Sequence, residues 1–221
     1  MSKQNRVNPF GELIATPARG TLMGNRGCLH NEAQDIRRPF ARKEWIFCVL
    51  HRKDKQGEAI KRPIMQPGKY TELFFLDEAT ALAAGHRPCG YCLWPRLDAF
   101  ARRWAESNPE QAGDTTKASA KLMDAVLHQE RLDPASRTKK LHRCPLSAVP
   151  SRSMVLLHPD DQQPYLVAQH CLLPWQFEGY GQWVEKPQRK MVWALTPPSI
   201  MGAIRAGFQP NLHPSILGIV D

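Results

Sequence analysis

The pair Cys89 and Cys92, set in GHRPCGYC (85–92), constrains this chain more than any other feature. A Cys-x-x-Cys turn lets two sulfurs face one tetrahedral ion at about 2.3 Å, so it supplies half of a zinc site and makes the backbone wrap around it. Only these two of the six cysteines are close in sequence, and metal binding explains such spacing better than a disulfide framework does. A redox pair would sit at a helix N-terminus in a βαβ setting, whereas here a glycine-terminated helical stretch, DEATALAAG (77–85), comes first. The plainer alternative is two unligated cysteines buried in a turn.

Around this pair the patterning alternates strands and helices. Asp77 is the expected N-cap and Gly85 the stop of the short helix. EWIFCVLH (44–51) and YTELFFL (70–76) carry the aromatic and branched residues of strands, and the charged stretch from Arg52 to Arg62 between them reads as a loop. TLMG (21–24) and GCLH (27–30), parted by Asn25 and Arg26, read as a tight hairpin or an interrupted strand. Residues 1–18, broken by Pro9, Gly11 and Pro17, read as a polar lead-in with little regular structure.

Beyond the pair, 95–106 sets Leu97, Phe100, Ala101 and Trp104 at helical spacing, and 115–130 repeats the pattern; 107–114 reads as a loop and 134–143 as a basic connector. SMVLLH (153–158), PYLVAQ (164–169) and KMVWALT (190–196) read as strands, and PPSIMGAIRAG (197–207) as a closing helix entered by prolines and ended by glycine. The expectation is an α+β fold: the lead-in 1–18, a zinc-binding domain with flanking helices over 19–133, and a small β-rich C-terminal domain over 134–221.

A formal net charge of +9 makes nucleic acid the leading partner class, because an excess of cations concentrates polyanions around it. Arg137, Lys139, Lys140 and Arg143 in the basic connector are the first candidate contacts. No apolar run reaches the roughly 18 residues of a membrane span, and MSKQNRVNPF lacks the apolar core of a signal peptide, so a cytoplasmic protein without membrane partners is expected. No phosphate-cradling glycine loop, serine elbow or paired-carboxylate motif is present, so no nucleotide cofactor is expected.

FFLDEATALAAGHRPCGYC (74–92) resembles the second half of the zinc-binding domain of the Ada family of bacterial methyl-phosphotriester DNA-repair proteins. The match runs through Phe74, Phe75, Ala79, Ala81, Ala83, Ala84, Gly85, Arg87, Pro88, Cys89 and Cys92, with His86 where an aromatic is usual. In the first half of the family pattern an Ile-Phe-Cys strand is followed four residues later by another Cys; WIFCVLHR (45–52) matches at Cys48, but Arg52 stands at the second position. The resemblance covers residues 43–95, and the remainder is similar to bacterial proteins from which no function follows. It implies that Cys89 and Cys92 bind zinc with Cys48 as third ligand, that Arg87 is a candidate DNA contact, and that DNA ranks ahead of RNA.

The fourth ligand stays open between His30, Cys28 and His51. Cys28 and His30 share a face if their segment is a strand, whereas His51 reaches the Cys48 side only if the chain turns at Val49 and Leu50. In the family a zinc-bound thiolate accepts a methyl group from a DNA phosphotriester, and Cys48 is the matching position. A rival pattern is His30-x-Glu32 with Pro88-Cys89-x-x-Cys92, the letters of the zinc deaminases, in which Glu32 would shuttle protons. Cys48 and Glu32 are thus the catalytic candidates, and whether the chain is an enzyme stays open. LPWQFEGYGQW (173–183) is read as an aromatic loop, serving either as a recognition surface or as a hydrophobic plug.

Overall fold

The computed structural model describes residues 2–51, 56, 58, 63–188 and 190–217, so Arg52 and most of the expected loop 52–62 lie outside the described residues. The fold is α+β, as expected. Its first half contains β1 (Gln4–Val7), β2 (Leu13–Ala15), β3 (Leu22–Asn25), β4 (Ile46–Val49), β5 (Leu73–Phe75), α1 (Glu78–Ala83) and β6 (Arg87–Pro88), the strands lying in the order β2-β1-β5-β3-β4-β6.

Two expectations are corrected here. The lead-in is structured: β1 and β2 form an antiparallel hairpin, and Val7 and Leu13 are buried in the core, a signal too short to stand out in a polar stretch. The stretch TLMG–GCLH is no hairpin. β3 pairs with β4 and β5, with Met23 opposite Cys48 and Phe74, while 27–30 leaves the sheet and His30 makes a lone bridge to Ile36. Gly24 permits this close pairing, since a Cβ there would stand 2.3 Å from the Ile46 carbonyl oxygen.

Three helices follow: α2 (Trp94–Ser107), the short α3 (Pro109–Ala112) inside the expected loop, and α4 (Ala120–Arg131), which Ser119 caps by accepting from the Leu122 N–H at 3.2 Å. The helical spacing on α2 buries Leu97, Phe100, Ala101 and Trp104.

The second sheet is built from β7 (His142–Pro145), β8 (Met154–Leu156), β9 (Tyr165–Val167), β10 (Cys171–Gln176), β11 (Gly179–Tyr180), β12 (Val184–Glu185) and β13 (Met191–Ala194). Its order is β11-β10-β9-β8-β13-β7, with β12 also on β10. The closing helix α5 (Pro198–Arg205) returns to the first half, where Ile200, Ala203 and Ile204 join the core cluster of α2 and the ring of Phe208 meets Phe100 at 5.1 Å.

The aromatic stretch 173–183 is also corrected, from a loop to the β10–β11 hairpin. Trp175 Nε1 donates to Thr80 Oγ1 at 2.9 Å, and the Tyr180 hydroxyl donates at 2.7 Å to Asp77, the cap of α1. Both rings are buried, so they join α1 to the second sheet; Trp183 stays 51% exposed.

Candidate metal centre

Strand pairing brings the cysteines together. β6 runs parallel to β4 with Phe47 opposite Pro88, and the Cys89 N–H donates to the Phe47 carbonyl at 2.9 Å, which sets Cys89 beside Cys48. The turn from α1 into β6 needs Gly85, whose φ is +85° and whose missing side chain leaves room for Arg131: a Cβ would lie 2.7 Å from that residue's Cδ. The knuckle then closes on itself. The Leu93 N–H donates to the Cys89 carbonyl at 3.0 Å, the Tyr91 N–H reaches the Cys89 sulfur at 3.4 Å, and α2 starts at once, which anchors Cys92.

The three sulfurs of Cys48, Cys89 and Cys92 lie within 4.8 Å of one another. A hydrogen bond from the Cys48 thiol holds the Cys89 pKa down to about 5 against the opposing effect of burial, helped by the backbone N–H groups of Cys92 and Tyr91. The same bond, with burial and the neighbouring sulfurs, pushes Cys48 up. One thiolate is therefore already favoured, and a divalent ion would displace the shared protons. Three converging sulfurs with N–H donors aimed at one of them suit a soft or borderline ion, so the donor set fits a metal.

All eight histidines and six cysteines are among the described residues, and none joins these three. His30, expected as fourth ligand, is turned elsewhere: it is buried, with Nδ1 2.6 Å from Thr71 Oγ1 and Nε2 3.2 Å from the Gln66 carbonyl. Cys28 Sγ sits 3.6 Å from the His30 carbonyl, and Glu32 is exposed. The deaminase constellation is therefore not assembled, because 27–30 is a loop tied to Thr71 rather than a strand beside the knuckle. His51 is nearer the mark. The chain bends at Leu50 and His51, and His51 shares with Cys48, Cys89 and Cys92 the lining of a cavity of about 440 Å³.

Of the candidate nucleic-acid contacts, Arg87 is corrected. It is buried and makes a two-pronged ion pair with Asp124, Nε–Oδ1 2.8 Å and Nη2–Oδ2 2.6 Å, which ties β6 to α4. Lys139 turns inward as well, its ammonium donating to the Ala83 carbonyl, and Lys140 Nζ stands 3.4 Å from the Gln129 carbonyl. Arg137 and Arg143 are exposed, over the rings of Phe40 at 4.9 Å and Trp193 at 6.0 Å. His86 fills the aromatic position of the resemblance as an aromatic does, its ring 5.2 Å from Trp45 and 4.7 Å from Phe75.

Among the described residues no helix is long and apolar enough to cross a membrane. Comparison of the chain with protein-family models, curated proteins and solved structures finds no match in any of the three, so the Ada resemblance rests on the residues themselves.

Proposed function

We propose that the chain is a zinc-containing nucleic-acid-binding protein, with the ion held by Cys48, Cys89 and Cys92. The observation that carries this reading is the convergence of three sulfurs from two strand ends and a knuckle. Thiolate sulfur favours zinc over the hard cations that prefer oxygen. His51, on the wall of the same cavity, is the candidate we propose for the fourth position. The net charge of +9 and the exposed guanidiniums of Arg137 and Arg143 support a polyanionic partner, with DNA ahead of RNA on the resemblance alone. The test is twofold: metal analysis of protein prepared without chelators, expected to give about one zinc per chain, and retardation of duplex DNA and of RNA at low salt. Metal-free folded protein, or failure to retard either nucleic acid, contradicts the corresponding half.

A second reading, methyl acceptor, is favoured by one observation: Cys48, though buried, is among the residues that line the cavity. Bound zinc would keep its sulfur deprotonated and nucleophilic. The sulfur would attack the methyl carbon of a phosphotriester, the carbon–oxygen bond would break, and the phosphodiester would leave with the electron pair. Cys48 is 4% exposed, so the ester must enter the cavity. Intact mass after incubation with methylated DNA decides: one added methyl, absent in Cys48→Ser, supports transfer, and an unchanged mass leaves the zinc a structural ion.

A further inference from the structure

A second cavity, of about 690 Å³, lies at the ends of β3 and β4, lined by Arg26, which follows β3, and Trp45, which precedes β4. Successive residues of a strand point to opposite faces: Asn25 and Ile46 line the thiol cavity, while their neighbours Arg26 and Trp45 line this one. Its charged lining is lopsided, with Arg26, Arg37, Arg38, Arg131, Arg137 and Lys139 against Glu12 and Asp161. The two acids are engaged elsewhere, Glu12 with the Asn8 amide at 2.8 Å and Asp161 with the His158 N–H at 2.8 Å.

Three of these cations form the inner wall. Arg26 and Arg131 are each 1% exposed, and both guanidiniums lie on the ring of Trp45, at 3.9 and 4.0 Å. Their hydrogen bonds go to neutral acceptors. Arg26 uses the Gly11 carbonyl at 2.8 Å and His86 Nε2 at 3.1 Å; Arg131 uses the carbonyls of Gly85 at 2.9 Å and Lys43 at 2.6 Å. Lys139 likewise donates to a carbonyl, and among the described residues none of the three is in an ion pair. Arg26 Nη2 and Arg131 Nε have no hydrogen-bond partner among the described residues.

A buried cation without a counter-charge costs several kcal/mol even after relaxation; Asp124 and Glu44 lend Arg131 some opposite charge, but what acts on Arg26 and Lys139 is burial and the neighbouring cations, so an anion would complete the wall. The strain shows in the titration of the group: burial first, then Arg131 and Arg26, lower the Lys139 pKa to about 7. The ring of Trp45 is already taken up by guanidiniums, which argues against base stacking as the means of recognition.

We propose that this cavity binds a phosphate monoester group, with Arg26, Arg131 and Lys139 as the inner donors and Arg137 at the rim. The excess of positive lining suits a doubly charged phosphate better than a single carboxylate, and guanidinium forks match phosphate oxygens. This assignment stands on the cavity itself and does not depend on the metal or on the nucleic-acid reading. The group could come from a free phosphorylated metabolite or from the terminal phosphate of a nucleic acid, and the two sources separate by experiment.

The test is calorimetric titration of the full chain, as purified without chelators, with inorganic phosphate, compared with acetate, then competition by a mononucleotide and by an oligonucleotide with and without a 5′-phosphate. Saturable phosphate binding is expected, weaker by at least about tenfold in Lys139→Met, since a hydrogen bond to a charged group is lost, and measurably weaker in the rim variant Arg137→Ser, whose exposed position leaves folding intact. Lys121→Gln, on the exposed face of α4 and outside the cavity, should bind as wild type does. Competition by the phosphorylated oligonucleotide well beyond its hydroxyl form assigns the group to a nucleic-acid end; equal competition by the mononucleotide assigns it to a small metabolite. No saturable phosphate binding, acetate binding as tightly, or undiminished affinity in both Lys139→Met and Arg137→Ser overturns the proposal.

Discussion

The two sides of the β3–β4 ribbon present opposite chemical needs. On one side three sulfurs converge within 4.8 Å and call for a cation; on the other, two buried guanidiniums and an ammonium converge and call for an anion. Both arise from strand alternation, which sends Cys48 and Ile46 one way and Trp45 and Phe47 the other. The sulfurs can trade protons for a metal and so adapt, whereas a guanidinium gives up its proton only reluctantly, and burial beside other cations leaves it in want of opposite charge.

The comparison breaks most easily on the sulfur side. Cys48→Ser should remove most of the zinc and, with it, a stabilisation on the order of 10 kcal/mol, because metal binding in such sites is coupled to folding. Cys171→Ser, far from the cluster in the second sheet, should keep its zinc. Metal content and thermal unfolding of the two variants check this; retained zinc in Cys48→Ser would reduce that residue to a packed strand side chain.

Arg87→Ala ranks next, with an expected loss of about 3–5 kcal/mol, since Asp124 is left buried and unpaired. The reading of Arg87 as a strut between β6 and α4 requires this loss to appear in urea unfolding. A variant of full stability with weakened DNA binding would return Arg87 to the surface.

The cation side is sharpened by pH. The folded-state pKa of Lys139, about 7, lies below its ordinary 10.5, so between those values the unfolded chain binds the extra proton and stability rises with pH. Below about 7 both states carry the proton and the penalty is constant; above 10.5 neither does. Denaturation series across this window should show a shallower rise in Lys139→Met than in wild type, and parallel curves would remove the argument for a buried ammonium. The smallest expected effect is on exposed charge: Arg143→Ser should lower the salt slope of nucleic-acid binding by about one unit, as for one lost phosphate contact.

The sulfur side was legible in the sequence and the cation side was not, for a physical reason. Cys89 and Cys92 sit in one turn, so their spacing indicates shared coordination, whereas Cys48, 41 positions earlier, enters only through the resemblance to the Ada pattern. The sequence leaves the fourth position open between His30, Cys28 and His51, because the 27–30 segment looks like a strand until Thr71 is seen to hold His30. Arg26, Trp45, Arg131 and Lys139 lie on four separate segments, and in sequence each cation looks like solvated charge. One hint existed: Arg26 and Arg131 flank glycine-bearing turns, at Gly27 and, in space, at Gly85. Helices α1, α2, α4 and α5 were readable from their spacing and caps, whereas α3, β1, β2 and β6 are too short to stand out, and the aromatic stretch 173–183 was masked by glycines that serve a hairpin.

The central claim is that Cys48, Cys89 and Cys92 hold one zinc, and X-ray absorption at the zinc edge tests it most directly. The account predicts about one zinc per chain with a first shell dominated by three sulfurs near 2.3 Å and one lighter atom near 2.0–2.1 Å, the sulfur count falling in Cys48→Ser. A folded protein without zinc, or a shell of nitrogen and oxygen alone, would contradict it.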